Sequence, residues 1–206
     1  IADNFPTAIP ECQGNCKAYK EAGSCISNRH SQQEELRRLF RAYQIDAIVH
    51  FAAFKSVGES VSRPLEYYRN NLDGLLTVLE VMREYQVKTI IYSSSATVYG
   101  SENATPAFED TATGTCTNPY GRIKLMSEQI LKDTAQADPE LSVLLLRYSN
   151  AVGGHASGLL GEHPTGEPNS LMTHIVQVAE GKQESYMYLA AITQLQMAPA
   201  YGIISM

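Results

Sequence analysis

The sequence predicts an α/β chain built on a doubly wound parallel sheet. From Gln33 onward the hydrophobic period switches repeatedly, and each stretch with helical spacing runs into a short β-branched, apolar one. Strands of that kind, buried on both faces and separated by helices, pair in parallel through right-handed crossovers.

The elements follow in order. Residues 34–44, "EELRRLFRAYQ", place Leu36, Leu39, Phe40 and Tyr43 on one helical face, and "IDAIVHFAA" after them reads as a buried strand. Residues 66–86 carry Leu72, Leu75, Leu76, Leu79 and Met82 at helical spacing and lead into "VKTIIYSSS" at 87–95. A third helix begins near Pro119, a residue favoured at the first helical position, and is followed by the strand "LSVLLLRY" at 141–148. A last helix covers about 169–180. In a parallel sheet ligands bind beyond the carboxyl ends of the strands, which directs attention to Ser93, Ser94, Ser95 and Asn150.

Length and charge narrow the function. With 206 residues, 44% of them hydrophobic, the chain is long enough for a globular core. Its formal charge of −6, from 16 Lys+Arg against 22 Asp+Glu, offers no footprint for nucleic acid or an anionic membrane. No apolar run nears the roughly 20 residues that span a bilayer, and no signal peptide is visible, so a cytoplasmic location with reduced cysteines is expected.

The sharpest chemical signal is "YGRIK", in which Tyr120 and Lys124 share a helical face. An ammonium beside a phenol stabilises phenolate, so the Tyr120 pKa is expected to fall and the phenol to exchange a proton with a substrate hydroxyl. Such a pair is more often solvated, but Ser95 ends the preceding strand, where its hydroxyl can reach the same substrate oxygen. Ser, Tyr and Lys in that order suggest hydride chemistry at a carbinol carbon.

Other residues have plainer readings. His50 is expected to be a core histidine, Arg147 to pair with a carboxylate, and "LEYY" at 65–68 to pack. His155, His163 and His174 lack ligand spacing, and the spacing of Cys12, Cys16, Cys25 and His30 fits no common zinc finger, so no metal is expected.

Four stretches, "HFAAFKSVGESVSRPLEYYRNN", "YSSSATVYG", "NPYGRIKLMSEQIL" and "LRYSNAVGGHASG", follow one another as they do in a known family. From about residue 33 to 184 the chain resembles the UDP-glucose 4-epimerases, extended short-chain dehydrogenase/reductases. The resemblance implies an NAD(P)-binding Rossmann-like fold, NAD as cofactor, UDP-glucose and UDP-galactose as substrates, and room for a homodimer. It casts Tyr120 as the residue that takes the 4-hydroxyl proton, Lys124 as the one that holds the nicotinamide ribose, and Ser95 as a hydrogen-bond partner of the same sugar oxygen. Phe51, Ala52, Ala53, Lys55, Asn70, Ser93 and Tyr148 match positions lining the NAD site, and Asp3 and Asn4 resemble the pair that binds the adenosine ribose. Asn150 and Leu171 match positions touching the UDP-sugar. The chain departs from the pattern at Ser149, where the family often has Phe, and at Asn169 and Ser170, where it often has Asn-Asn.

The match implies a partial NAD-binding domain over 1–150, incomplete at its N-terminus because the family's glycine loop would precede Ile1, and the start of the UDP-sugar region over 151–184. The ends read as foreign. From Glu184 to Met206 a displaced reading frame permits Lys-Leu-Tyr-Val-Phe-Gly-Gly-Asp-Tyr, which is epimerase-like, so 185–206 is expected to be a frameshifted tail. The opposite shift permits an amphipathic helix, Ser-Val-Lys-Glu-Ile-Ala-Lys-Leu-Thr, over 11–25 and Asp-Ile-Arg-Asn over 29–32, which reads 11–32 as out of frame. Alternatives within the resemblance are another nucleotide-sugar epimerase or decarboxylase, or an inactive fragment. A 4,6-dehydratase would want an acidic pair where Ala96 and Thr97 stand.

Overall fold

A computed structural model describes residues 29–101, 106–150, 153, 157 and 171–182. Expectations placed on residues 1–28, on 151–170 apart from Gly153 and Ser157, and on 183–206, including those on Asp3, Asn4, His155, His163, Asn169 and Ser170, lie outside these.

Helix α1 (Arg29–Ala42) leads to strand β1 (Ile48–His50), a short helix α2 (Val57–Ser62) and the long helix α3 (Pro64–Glu84). Strand β2 (Thr89–Ser95), a 3-10 turn (Ala96–Tyr99), helix α4 (Pro119–Ala137), strand β3 (Ser142–Tyr148) and helix α5 (Leu171–Ala179) complete the order. The strands pair in parallel in the order β1-β2-β3, with His50 opposite Tyr92 and Ser95 opposite Tyr148. Their carboxyl ends therefore share one edge.

The helix ends follow from local chemistry. Pro64 and Pro119 occupy first-turn positions of α3 and α4, where a missing N–H removes no helical bond. Asn118 caps α4, its Oδ1 accepting from the Gly121 N–H at 2.8 Å. Helix α3 ends at Gln86, whose φ of 58° is left-handed, and the Val87 N–H returns to the Met82 carbonyl at 2.9 Å. Such a bond closes a Schellman-type end and aims the chain into β2.

One core holds these pieces together. Leu75, Val78 and Met82 of α3 and Leu131 of α4 pack on Val87, Ile90 and Tyr92, with Leu36 and Phe40 of α1 beside them. Full burial of each large aliphatic side chain contributes about 1.5–3 kcal/mol. The other sheet face differs from expectation, for Val49 and Leu144 are each 53% exposed. The strand order supplies the reason. Successive right-handed crossovers that advance in one direction put α3 and α4 on the same face, and covering the second face requires a reversal of strand order that the described strands do not contain.

Helix α1 begins four residues before Gln33, so 29–32 continue it. Strand β1 is only three residues long, because the chain leaves the sheet at Phe51. Of the "LEYY" stretch, Tyr67 is buried as expected, whereas Leu65 is 82% exposed. Among the described residues no helix is long and apolar enough to cross a membrane.

Candidate active site

The strand edge where β1, β2 and β3 end carries the chemistry. Helix α4 crosses it with Tyr120, Lys124 and Glu128 at four-residue intervals, hence on one face. Two close approaches fix its first turn. A Cβ on Gly121 would lie 3.3 Å from Cys116 Cβ, and the Tyr120 N–H donates to Ser60 Oγ at 3.2 Å. Gly100, with φ of 72°, turns the chain out of the 3-10 turn where a Cβ would stand 2.7 Å from Thr115 Oγ1.

The three α4 side chains meet the three serines that end β2. Lys124 Nζ donates to the Ser93 carbonyl at 2.5 Å, and the residue is 3% exposed. Its ammonium lies 4.9 Å from the Tyr92 ring centroid and 5.7 Å from that of Tyr120. Burial pushes its pKa down to about 8. Ser95, at the end of the strand, lies beside the Tyr120 phenol and favours its phenolate, and its Oγ accepts from the Thr97 N–H at 3.2 Å. Ser94 Oγ donates to Glu128 Oε1 at 2.5 Å.

The Tyr120 phenol differs from expectation. Burial pushes its pKa above the ordinary tyrosine value, and the Ser95 hydroxyl beside it only partly offsets this. Burial is the larger effect, and Lys124 Nζ gives a hydrogen bond to the Ser93 carbonyl. Desolvation of phenolate in so enclosed a position favours the protonated form.

Glu128 is fully buried and holds Arg147 through two bonds, from Nε to Oε1 at 2.9 Å and from Nη2 to Oε2 at 2.8 Å. Burial pushes its carboxyl up, but the hydrogen bonds from Arg147 and Ser94 and the charge of Arg147 bring it below the usual value. Arg147 thus pairs with a carboxylate as expected, and its guanidinium also lies 4.9 Å over the Tyr99 ring. His50 is buried and stacks on Tyr92 with ring centroids 5.7 Å apart. Burial, with the Lys124 charge second, pushes its pKa down to about 4, so it stays neutral.

The remaining sequence-predicted residues spread around this centre. Phe51, just past β1, and Tyr148, at the end of β3, are exposed and bring their rings to 6.3 Å across the edge. Ala52, Ala53 and Lys55 lie on the loop after β1, Ala52 and Lys55 exposed and Ala53 half-buried. Asn70 is half-buried on α3, and Asn150 is exposed two residues beyond β3. Leu171 opens α5. The structure brings Ser93, Ser95, Tyr120 and Lys124 together directly, with Phe51 and Tyr148 at the same edge. Sequence reasoning missed Glu128, Ser60 and Asn71. Glu128 alone had a usable signal, since it continues the four-residue spacing of Tyr120 and Lys124.

Comparison with known proteins gives the family. Residues 12–195 match the model of the NAD dependent epimerase/dehydratase family. The chain is 56% identical over 150 residues to a UDP-glucose 4-epimerase of Yersinia pestis, covering 73% of this chain and 44% of that protein. It is 50% identical over 153 residues to a human UDP-glucose 4-epimerase, covering 74% of this chain and again 44% of the relative. The chain thus spans less than half the length of these relatives. Among solved structures, a UDP-glucose 4-epimerase from Bifidobacterium longum in complex with NAD+ and UDP superposes with a TM-score of 0.79 at 43% identity, covering 89% of this chain and 55% of that one. One from Stenotrophomonas maltophila, with bound NAD and formylated UDP-arabinopyranose, gives 0.80 at 38% identity, covering 90% and 55%. The parallel sheet is accordingly Rossmann-like. A match over most of the chain, joined to a Ser-Tyr-Lys cluster at the sheet's carboxyl edge, leads to one conclusion: the chain belongs to the NAD dependent epimerase/dehydratase family.

Proposed function

We propose that the protein to which these residues belong interconverts UDP-glucose and UDP-galactose by moving a hydride off sugar C4 and back onto its other face. The observation that carries the reading is the cluster of half-buried Tyr120 with buried Lys124 and Ser95 at the end of β2. The names of the relatives at 48–56% identity supply the substrate.

The residues present fit a dinucleotide. Phe51 and Tyr148 offer flat apolar surface at the edge, and Lys124 spends one of its three donors on Ser93, leaving an ammonium suited to ribose hydroxyls. Phe51, Ala52, Ala53, Lys55, Asn70, Ser93 and Tyr148, with Asp3 and Asn4, would hold the cofactor. NAD, when bound, supplies the acceptor for the C4 hydride and its return.

The chain's own residues handle the proton and the sugar. Tyr120, in its phenolate form, takes the 4-hydroxyl proton to become the phenol as the C4–O bond becomes a carbonyl, and gives it back when hydride returns. No proton or electron is gained overall. Ser95 holds the phenol and the same sugar oxygen, which keeps the proton path short. The Lys124 ammonium, 5.7 Å from the phenol ring, favours phenolate against the burial that opposes it. Asn150 and Leu171 contact the UDP-sugar. A homodimer and a cytoplasmic location belong to the same reading.

The test uses full-length protein and UDP-galactose deuterated at C4. UDP-glucose should form with the label retained at C4, because the hydride that leaves is the one that returns. Absence of UDP-glucose, or loss of the label to solvent, would overturn the proposal.

A further inference from the structure

The loop after β1 carries Phe51, Ala52, Ala53 and Lys55 and has no regular secondary structure, so its partly buried backbone groups need partners elsewhere. Asn71 of α3 supplies them at Phe54. The Phe54 N–H donates to Asn71 Oδ1 at 2.8 Å, and Asn71 Nδ2 donates to the Phe54 carbonyl at 3.1 Å. A side-chain amide here pairs with a peptide as one strand residue pairs with another, and it does so at 3% exposure, where water does not compete. Asn70 Nδ2 donates to the same Oδ1 at 2.9 Å. The Phe54 ring packs 5.3 Å from that of Tyr67, whose hydroxyl donates to Glu59 Oε2 at 2.7 Å.

We propose that Asn71 is a positioning residue for the dinucleotide site: its carboxamide fixes both the 51–55 loop and the Asn70 side chain to α3, so that the surface they present is formed before the cofactor arrives. This rests on the reading of those residues as NAD-lining. A loop fixed in advance has little left to order on binding, and preorganisation of that kind appears in affinity rather than in turnover. Asn71 touches none of Tyr120, Lys124 or Ser95 through its hydrogen bonds.

The experiment compares full-length wild type with Asn71→Ala and Asn71→Asp. It measures hydrogen exchange at the Phe54 amide, NAD affinity and thermal unfolding. In Asn71→Ala the Phe54 amide should exchange at least tenfold faster and NAD should bind at least tenfold more weakly, while kcat at saturating NAD stays within about threefold of wild type. Asn71→Asp adds a readout that a merely structural role would not move. A neutral carboxyl has one donor and one acceptor and can repeat the amide pattern, whereas a carboxylate faces the Phe54 carbonyl with no donor. NAD affinity of this variant, relative to wild type at the same pH, should therefore recover as the pH is lowered from 8 to 5.5. Should Asn71→Ala fail to fold, Asn71→Asp carries the test alone. Unchanged NAD affinity in folded Asn71→Ala, or a loss in Asn71→Asp that does not vary with pH, would overturn the inference while leaving the function intact. Wild-type protein that binds no NAD would overturn the functional reading, and the inference with it.

Discussion

Glu128 Oε1 accepts the Ser94 hydroxyl at 2.5 Å, fixing the height of α4 against the end of β2. Lys124, one turn earlier, reaches the Ser93 carbonyl, and Tyr120, two turns earlier, meets Ser95. Three residues of one helical face thus read three consecutive residues of one strand. A helix shifted by a turn would lose all three contacts together, which makes the register of the two elements a condition of the chemistry.

The Glu128–Arg147 pair should behave as a buried ion pair that cannot be halved. Arg147→Met leaves a fully buried carboxylate without its main partner, which costs about 3–5 kcal/mol, whereas replacing both members by apolar residues is near neutral. The Glu128 pKa lies below its ordinary 4.5, so its contribution is complete above that value and disappears as the pH falls through the lower folded-state one. Urea unfolding of the single and double variants checks this. A loss under about 1 kcal/mol in Arg147→Met would contradict it.

Lys124→Met should separate stability from function. The folded-state pKa is about 8 against an ordinary 10.5, so the native fold binds this proton less tightly than the unfolded chain. The cost of the buried charge is full below about pH 8 and lifts as the pH rises toward 10.5. The Tm advantage of Lys124→Met over wild type should therefore be greatest near pH 7 and shrink by pH 10. Turnover should fall, with its optimum displaced to higher pH, because phenolate loses its nearest cation. A Tm difference independent of pH would count against the burial argument.

Ser95→Ala should be a milder lesion. It removes the hydroxyl that favours phenolate and is proposed to hold the sugar oxygen; one hydrogen bond is worth about 1 kcal/mol, so turnover should fall roughly fivefold to tenfold. It also removes the acceptor for the Thr97 N–H, a cap worth about 0.5–2 kcal/mol of stability. The phenol pKa should rise further, since Ser95 is the group that lowers it. A pH–rate profile of the variant measures this, and unchanged turnover would contradict it.

Much of the architecture could be read from hydrophobic periodicity, and the parts that could not have identifiable causes. Helix α3 and strand β2 were legible from the apolar residues they bury, α4 from the proline that opens it, and β3 from an apolar run that the fold only half buries. Helix α2 was not, for Val57–Ser62 carries no apolar period; its one signal was Ser56 accepting from the Glu59 N–H, a capping pattern. Strand β1 reads longer than it is because "FAA" is apolar, yet the chain there is drawn off the sheet toward Asn71. Ser95, Tyr120 and Lys124 were legible from spacing and strand-end position. Asn71 was not, because its role depends on a contact 17 residues away that only the fold creates. The direction of the Tyr120 pKa was misread because spacing shows that a cation is near but not how far the phenol is withdrawn from water.

The account stands most directly on the proton carried by Tyr120. Tyr120→Phe removes only the phenol oxygen, so the full-length variant should fold and keep its NAD. Conversion of UDP-galactose to UDP-glucose should drop by the ~10²–10⁴ typical of a positioned acid/base. Near-native conversion by folded Tyr120→Phe protein would contradict the account.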